Sequence, residues 1–73
     1  MELDDVGTSL RVKTTFNLQN PPPAVQQQYI DARKADAEGV VIGRVPGHEN
    51  KTWWVRHDDN SVGAYSHEEF DGV

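Results

Sequence analysis

The stretch Thr52 to Tyr65, "TWWVRHDDNSVGAY", decides the fold. Apolar and polar residues alternate on either side of Asp58-Asp59-Asn60-Ser61, a run with turn chemistry, so the whole reads as a β-hairpin. Successive side chains of a strand point to opposite faces, and Trp53 and Trp54 therefore cannot enter the same core. A two-residue loop at Asp59-Asn60 predicts His57 opposite Val62, Val55 opposite Ala64 and Trp54 opposite Tyr65. A four-residue loop over Asp58 to Ser61 predicts the same register.

Working outward, "GVVIGRV" (39–45) reads as the preceding strand, joined through the polar loop "PGHENK" (46–51). The simplest pairing sets Val45 against Thr52, Gly43 against Trp54 and Val41 against Arg56. One face of this meander carries Val40, Ile42, Trp53, Val55, Val62 and Ala64, the expected core. The other carries Val41, Val45, Trp54 and Tyr65 with Gly43 and Gly63, and it is apolar too. Trp54 should lie over Gly43 with Tyr65 beside it. A cross-strand aromatic pair contributes only about 0.2–1 kcal/mol, too little to justify an exposed indole. Either the chain's own helix covers this face, through Val25, Tyr29 and Ala32, or a partner does.

The N-terminal half supplies the rest. "LRVKTTF" (10–16) alternates, with Leu10, Val12, Thr14 and Phe16 on one side, as a half-buried strand does. Pro21 to Pro23 end it, because proline cannot pair in a sheet. Asn20 is a candidate cap for a Pro-capped helical insert over 21–38, three or so turns long, stopped by Gly39. "SHEEFDGV" (66–73) reads as a tight helical turn and a very short last strand. "MELDDVGTS" (1–9) reads as a loose acidic lead-in, or an arm that orders on a partner. The fold class expected is mainly β with one helix (α+β), in one domain over 1–73. Its form is a partly open barrel or a strongly bent antiparallel sheet, with the helix inserted after the first strand.

A chain of 73 residues without cysteine must be stable through packing or association alone, and it has no thiolate for a metal. Twelve acidic against seven basic residues give a net charge of −5, which argues against direct nucleic-acid binding through a basic face. No apolar run approaches a membrane span, and the expectation is a soluble cytoplasmic protein. The sequon Asn50-Lys51-Thr52 reads as chance in that setting.

Chemistry-bearing patterns are weak. Ser9, Ser61 and Ser66 lie outside any nucleophile elbow, and Ser66-His67 adjacency does not make a dyad. His48, His57 and His67 lack the short spacing of a zinc site, although Glu49, Asp58, Asp59, Glu68 and Glu69 are near in sequence. Asp58, Asn60, Gly63 and Glu69 fall at positions of a calcium loop, but Val62 occupies a ligand position and the flanks are strands. A solvated acidic turn explains them better. His57 falls on the inward face, where a hydrogen-bonded core-edge histidine is usual and a pH-sensitive one is the alternative. No enzyme activity, metal or cofactor is expected.

"LRVKTTF", "GVVIGRV", "TWWVRHDDNSVGAY" and the closing "SHEEF" together resemble the small SH3-like barrels of the Tudor and KOW type. The resemblance spans about residues 10 to 71 apart from the insert, and implies an SH3-like barrel. It also implies one functional class, a module binding nucleic acid or modified peptide, with Trp54 and Tyr65 as cage aromatics. Length, acidity and the inserted helix are similar to the small early regulators of host transcription made by Xanthomonas phage. That resemblance implies a protein partner, bacterial RNA polymerase, bound on a basic surface of its largest subunit in the host cytoplasm. Inhibited initiation and suppressed termination would follow. A structural or oligomeric component is a third class.

The partner surface expected combines the two acidic ends. Leu3 and Val6 stand around Asp4 and Asp5, and Phe70 is flanked by Glu68, Glu69 and Asp71; a basic partner would be steered to both. Trp54 and Tyr65 complete the candidate set.

Overall fold

The computed structural model describes residues 1–18, 21–47 and 51–73. The cap assigned to Asn20, the sequon at Asn50 and the candidate ligands His48 and Glu49 fall outside the described residues. The described chain is mainly β, a five-stranded antiparallel sheet that does not close, in the order β4-β3-β2-β1-β5. Its strands are β1 (Arg11–Thr14), β2 (Glu38–Arg44), β3 (Thr52–His57), β4 (Val62–Ser66) and β5 (Phe70–Gly72). One short α-helix, α1 (Gln27–Asp31), lies between β1 and β2. Turns of 3-10 helix precede β1, at Leu3–Asp5, and β5, at His67–Glu69.

The hairpin register is one residue away from the sequence expectation. Trp53 is opposite Tyr65, Trp54 opposite Ala64 and Arg56 opposite Val62. The cause is in the turn. Asn60 takes the left-handed conformation (φ 73°), its N–H donates to His57 O, and His57 N–H donates to Ser61 O. That makes a three-residue loop over 58–60, the type I turn with a left-handed third residue that Asn tolerates. An odd loop moves every partner by one and carries Tyr65 to the Trp53 side.

A bulge in β2 reverses a second assignment. Gly43 faces Trp54 and Arg44 faces Trp53, and Val45 N–H donates to Thr52 O, as the simple pairing requires. Upstream the register shifts between Val41 and Gly43, so Val41 meets Val55 and Val40 meets Arg56. Ile42 is the extra residue. Val41 is consequently fully buried, Ile42 is exposed, and Val40 and Val62 are only half-buried.

The core therefore joins Val12, Val41, Trp53, Val55, Tyr65 and Phe70, with Met1, Leu3, Val6, Leu10 and Leu18 packed around it. Residues 1–9 are thus not a loose arm: Leu3 and Val6 are anchored on the core, and Ser9 N–H donates to Val41 O. Phe16 leaves the inward row expected of it and is 80% exposed, because β1 ends at Thr14 and Thr15 N–H turns to Glu69 O.

The helix is far shorter than the 21–38 expected. Ala24 (φ 58°) and Asp36 (φ 53°) break the helical path on either side. After Ala32 the backbone serves tertiary contacts instead: Lys34 N–H donates to Tyr65 Oη at 2.7 Å, and Thr14 Oγ1 donates to Lys34 O at 2.6 Å. Short helices gain little from their own hydrogen bonds, so such competition decides their length.

Candidate interaction surface

The two chain ends meet at β5. Glu69 turns inward from the 3-10 turn, accepting Ser66 N–H on Oε1 at 3.0 Å and pairing with Arg33 through Oε2. This fastens the turn and leaves Glu68 and Asp71 on the outside. The Met1 ammonium donates to His67 O and Phe70 O, both at 2.9 Å, and lies 3.1 Å from Asp71 Oδ1. His67 Nδ1 faces Met1 O at 2.9 Å, and because a carbonyl only accepts, that nitrogen donates. Met1, Glu2, His67, Glu68 and Asp71 line one depression, and Asp4 and Asp5 follow Glu2 in the adjoining 3-10 turn.

Charge is distributed unevenly around this depression. Among the described residues, Asp36, Glu38, Asp58, Asp59 and Glu69 pair with Lys13, Arg11, Arg11, Lys34 and Arg33 respectively. Among the same residues, Glu2, Asp4 and Asp5 have no such partner, Glu68 reaches His67 at 4.0 Å, and Asp71 reaches the Met1 ammonium. Among the described residues, five of the six carboxylates without an Arg or Lys partner thus gather where the chain ends come together; the sixth, Asp31, lies on α1 and accepts from Gln27. Such a field attracts cations and basic surfaces and repels phosphates.

The ten residues expected at a partner surface are therefore split. Asp4, Asp5, Glu68 and Asp71 are exposed around the end face; Leu3 and Val6 are half-buried against the core. Tyr65 and Phe70 are completely buried, and Glu69 nearly so. Their side chains stand beneath the surface. Trp54 is half-buried, with the Tyr29 ring 4.7 Å away and tilted by 58°, so α1 covers it in part. Trp54 does lie beside Gly43, but Tyr65 is on the opposite face of β4, and the two do not form an aromatic cage.

A second cluster was only half legible. His57 is buried, with Nε2 2.5 Å from Tyr65 Oη and Nδ1 3.0 Å from Ser61 O and 2.9 Å from Ser61 Oγ. Ser61 O can only accept, so Nδ1 carries the proton and Nε2 receives the Tyr65 hydroxyl. Ser61 Oγ gives its own proton to Asp59 Oδ1 at 2.6 Å. The serine is therefore oriented away from the imidazole's basic nitrogen, which is not the pairing of an activated nucleophile. Burial, foremost, and the Lys34 charge lower the His57 pKa, against the pull of the Ser61 carbonyl and the nearby carboxylates. The inward position of His57 was readable from alternation, whereas its partner Tyr65 required the odd-numbered turn.

His57 and His67 serve separate contacts, and among the described residues no three His, Asp or Glu side chains are grouped to hold a metal ion. Among those residues no helix is long and apolar enough to cross a membrane. No family model, curated protein or solved structure matches the chain.

Proposed function

We propose that the chain is a small non-enzymatic protein-binding regulator that presents its acidic end face to a basic protein surface. The observation that carries this reading is the gathering of Glu2, Asp4, Asp5, Glu68 and Asp71, none paired with Arg or Lys among the described residues, around the joined ends. Among the described residues, Arg11, Lys13, Arg33 and Lys34 are paired with other carboxylates. Clustered carboxylates without Arg or Lys partners favour fast, salt-sensitive association with a complementary surface.

The partner suggested by the sequence resemblance is bacterial RNA polymerase, through a basic surface of its largest subunit. Transcription regulation, by hindered initiation and suppressed termination, would be the consequence. The SH3-like assignment belongs to the same reading. Its support is the strand order with β5 beside β1 and a 3-10 turn between β4 and β5. A methyl-ammonium cage of the Tudor kind has less support, since Trp54 and Tyr65 are on opposite faces. A KOW-like contact with nucleic acid would have to overcome the acidic field.

Capture from bacterial lysate on the immobilised chain tests the proposal, alongside a variant with Asp4→Asn, Asp5→Asn and Glu68→Gln. Polymerase retained by the first and lost by the second, at equal melting temperature, supports it. Equal capture by both sinks the acidic-face reading, and a salt-sensitive gel shift without protein capture would favour the nucleic-acid module.

A further inference from the structure

A closed circuit of hydrogen bonds ties the β3–β4 hairpin to the segment that follows α1. Lys34 N–H donates to Tyr65 Oη (2.7 Å), and the Tyr65 hydroxyl donates to His57 Nε2 (2.5 Å). His57 Nδ1 donates to Ser61, Ser61 Oγ donates to Asp59, and the Asp59 carboxylate returns to Lys34 by accepting from Nζ. The circuit begins and ends at one residue. It has one break point that titrates in mild acid, and that is His57.

We propose that this circuit is a pH-sensitive latch: protonation of His57 releases Lys34 from Tyr65, and with it the segment that holds Tyr29 over Trp54. The geometry gives the reason. In the neutral circuit the Lys34 amide, the Tyr65 hydroxyl, His57 Nδ1 and the Ser61 hydroxyl each meet an acceptor. A second proton, on Nε2, would face Tyr65 Oη, which already accepts Lys34 N–H. The hydroxyl would then have to turn its own proton to Lys34 O, a long 3.4 Å away and shared with Thr14 Oγ1 at 2.6 Å, in exchange for its 2.5 Å bond to His57.

The surrounding charges do not rescue the imidazolium. From the segment after α1, Lys34 opposes it, and the Arg33 guanidinium lies 5.3 Å from the Tyr65 ring centre. From the turn, Asp58 and Asp59 favour it, but Asp58 is paired with Arg11 of β1 and Asp59 with Lys34. Glu69, before β5, is committed to Arg33, Glu38 of β2 to Arg11, and Arg56 belongs to the opposite face of β3. Protonation therefore exchanges a satisfied circuit, buried at the His57–Tyr65 link, for a buried charge beside a crowded hydroxyl. The ladder hydrogen bonds of the sheet do not pass through this circuit, so the opening is local.

Amide hydrogen exchange and imidazole NMR on the full chain test this together, from about pH 7.5 to about pH 4.5. The expected result is a loss of Lys34 amide protection of about tenfold or more, corrected for intrinsic exchange, at the midpoint of His57 titration, with Val41 and Val55 amides still protected. Tyr65→Phe should leave Lys34 unprotected at every pH. Three results would overturn the latch: Lys34 protection constant while His57 titrates, a midpoint matching His67 instead, or simultaneous loss at Val41 and Val55. The wild-type titration decides even where the variant does not fold.

Discussion

Arg33 and Glu69 form an ion pair almost removed from water, with side-chain exposures of only 6% and 10%. Glu69 comes from the 3-10 turn before β5 and Arg33 from the segment after α1, so this pair, with Arg33 Nη1 donating to Ala64 O at 3.2 Å, binds three parts of the chain. Removing one member leaves the other buried without its counter-charge. Glu69→Ala should lower the unfolding free energy by about 3–5 kcal/mol, measured by urea titration followed by tryptophan fluorescence. A loss below about 1 kcal/mol, as for surface pairs, would place both groups in solvent.

Val55 is fully buried between Val41 and Gly63. Val55→Ala should reduce stability by about 1–3 kcal/mol, through lost transfer energy and the cavity left. Val62→Ala, at a half-buried position, should change the denaturation midpoint less; the reverse ranking would restore the even-numbered turn.

Trp54 is covered in part by Tyr29. Trp54→Ala should destabilise the fold by about 2 kcal/mol, below the range for fully buried aromatics. A melting curve identical to wild type would mean that α1 does not pack there, and would return Trp54 to the pool of partner-binding candidates.

Leu3 and Val6 pack on the core, while Asp4 and Asp5 between them are exposed. Deleting residues 1 to 6 should therefore lower the melting temperature by several degrees, since about 1 kcal/mol corresponds to roughly 4–8 °C in a chain this small. Asp4→Asn with Asp5→Asn should leave melting nearly unchanged. Calorimetry on both variants separates the anchoring role from the charge.

His57 contributes a pH dependence whose sign is fixed by its environment. Burial lowers its folded-state pKa below the ordinary value of 6.5, so the unfolded chain binds more protons in mild acid. Stability is present above that ordinary value and declines as pH falls through the folded-state pKa. Asp59, held well below the usual carboxylate range by hydrogen bonds from Lys34 and Ser61, begins to lose its contribution only at lower pH, below its ordinary 3.8. Denaturation midpoints compared at about pH 7.5 and about pH 5.5 should fall in wild type and change little in His57→Gln.

Alternation was sufficient to read β3 at Thr52–His57 and the inward side of Val12 and Val55, and local turn chemistry the tight turn at "SHEEF". These depend on period and turn chemistry within a few residues, which a sequence carries openly. The meeting of Gly43 with Trp54 was legible for the same reason, because it lies on the near side of the bulge.

Tertiary structure decided the rest. One left-handed residue, Asn60, moved Tyr65 across the sheet, and one extra residue, Ile42, exchanged Val41 for its neighbours in the core. A side-chain period of two makes every such single-residue shift a change of face, and no local propensity reveals it. The helix yielded its last turns to hydrogen bonds with Tyr65 and Thr14, and the acidic lead-in was held by a core too small to leave Leu3 and Val6 outside. The acidic end face followed from the same packing: the sequence placed its carboxylates at two ends, and β5 lying against β1 brought the ends together.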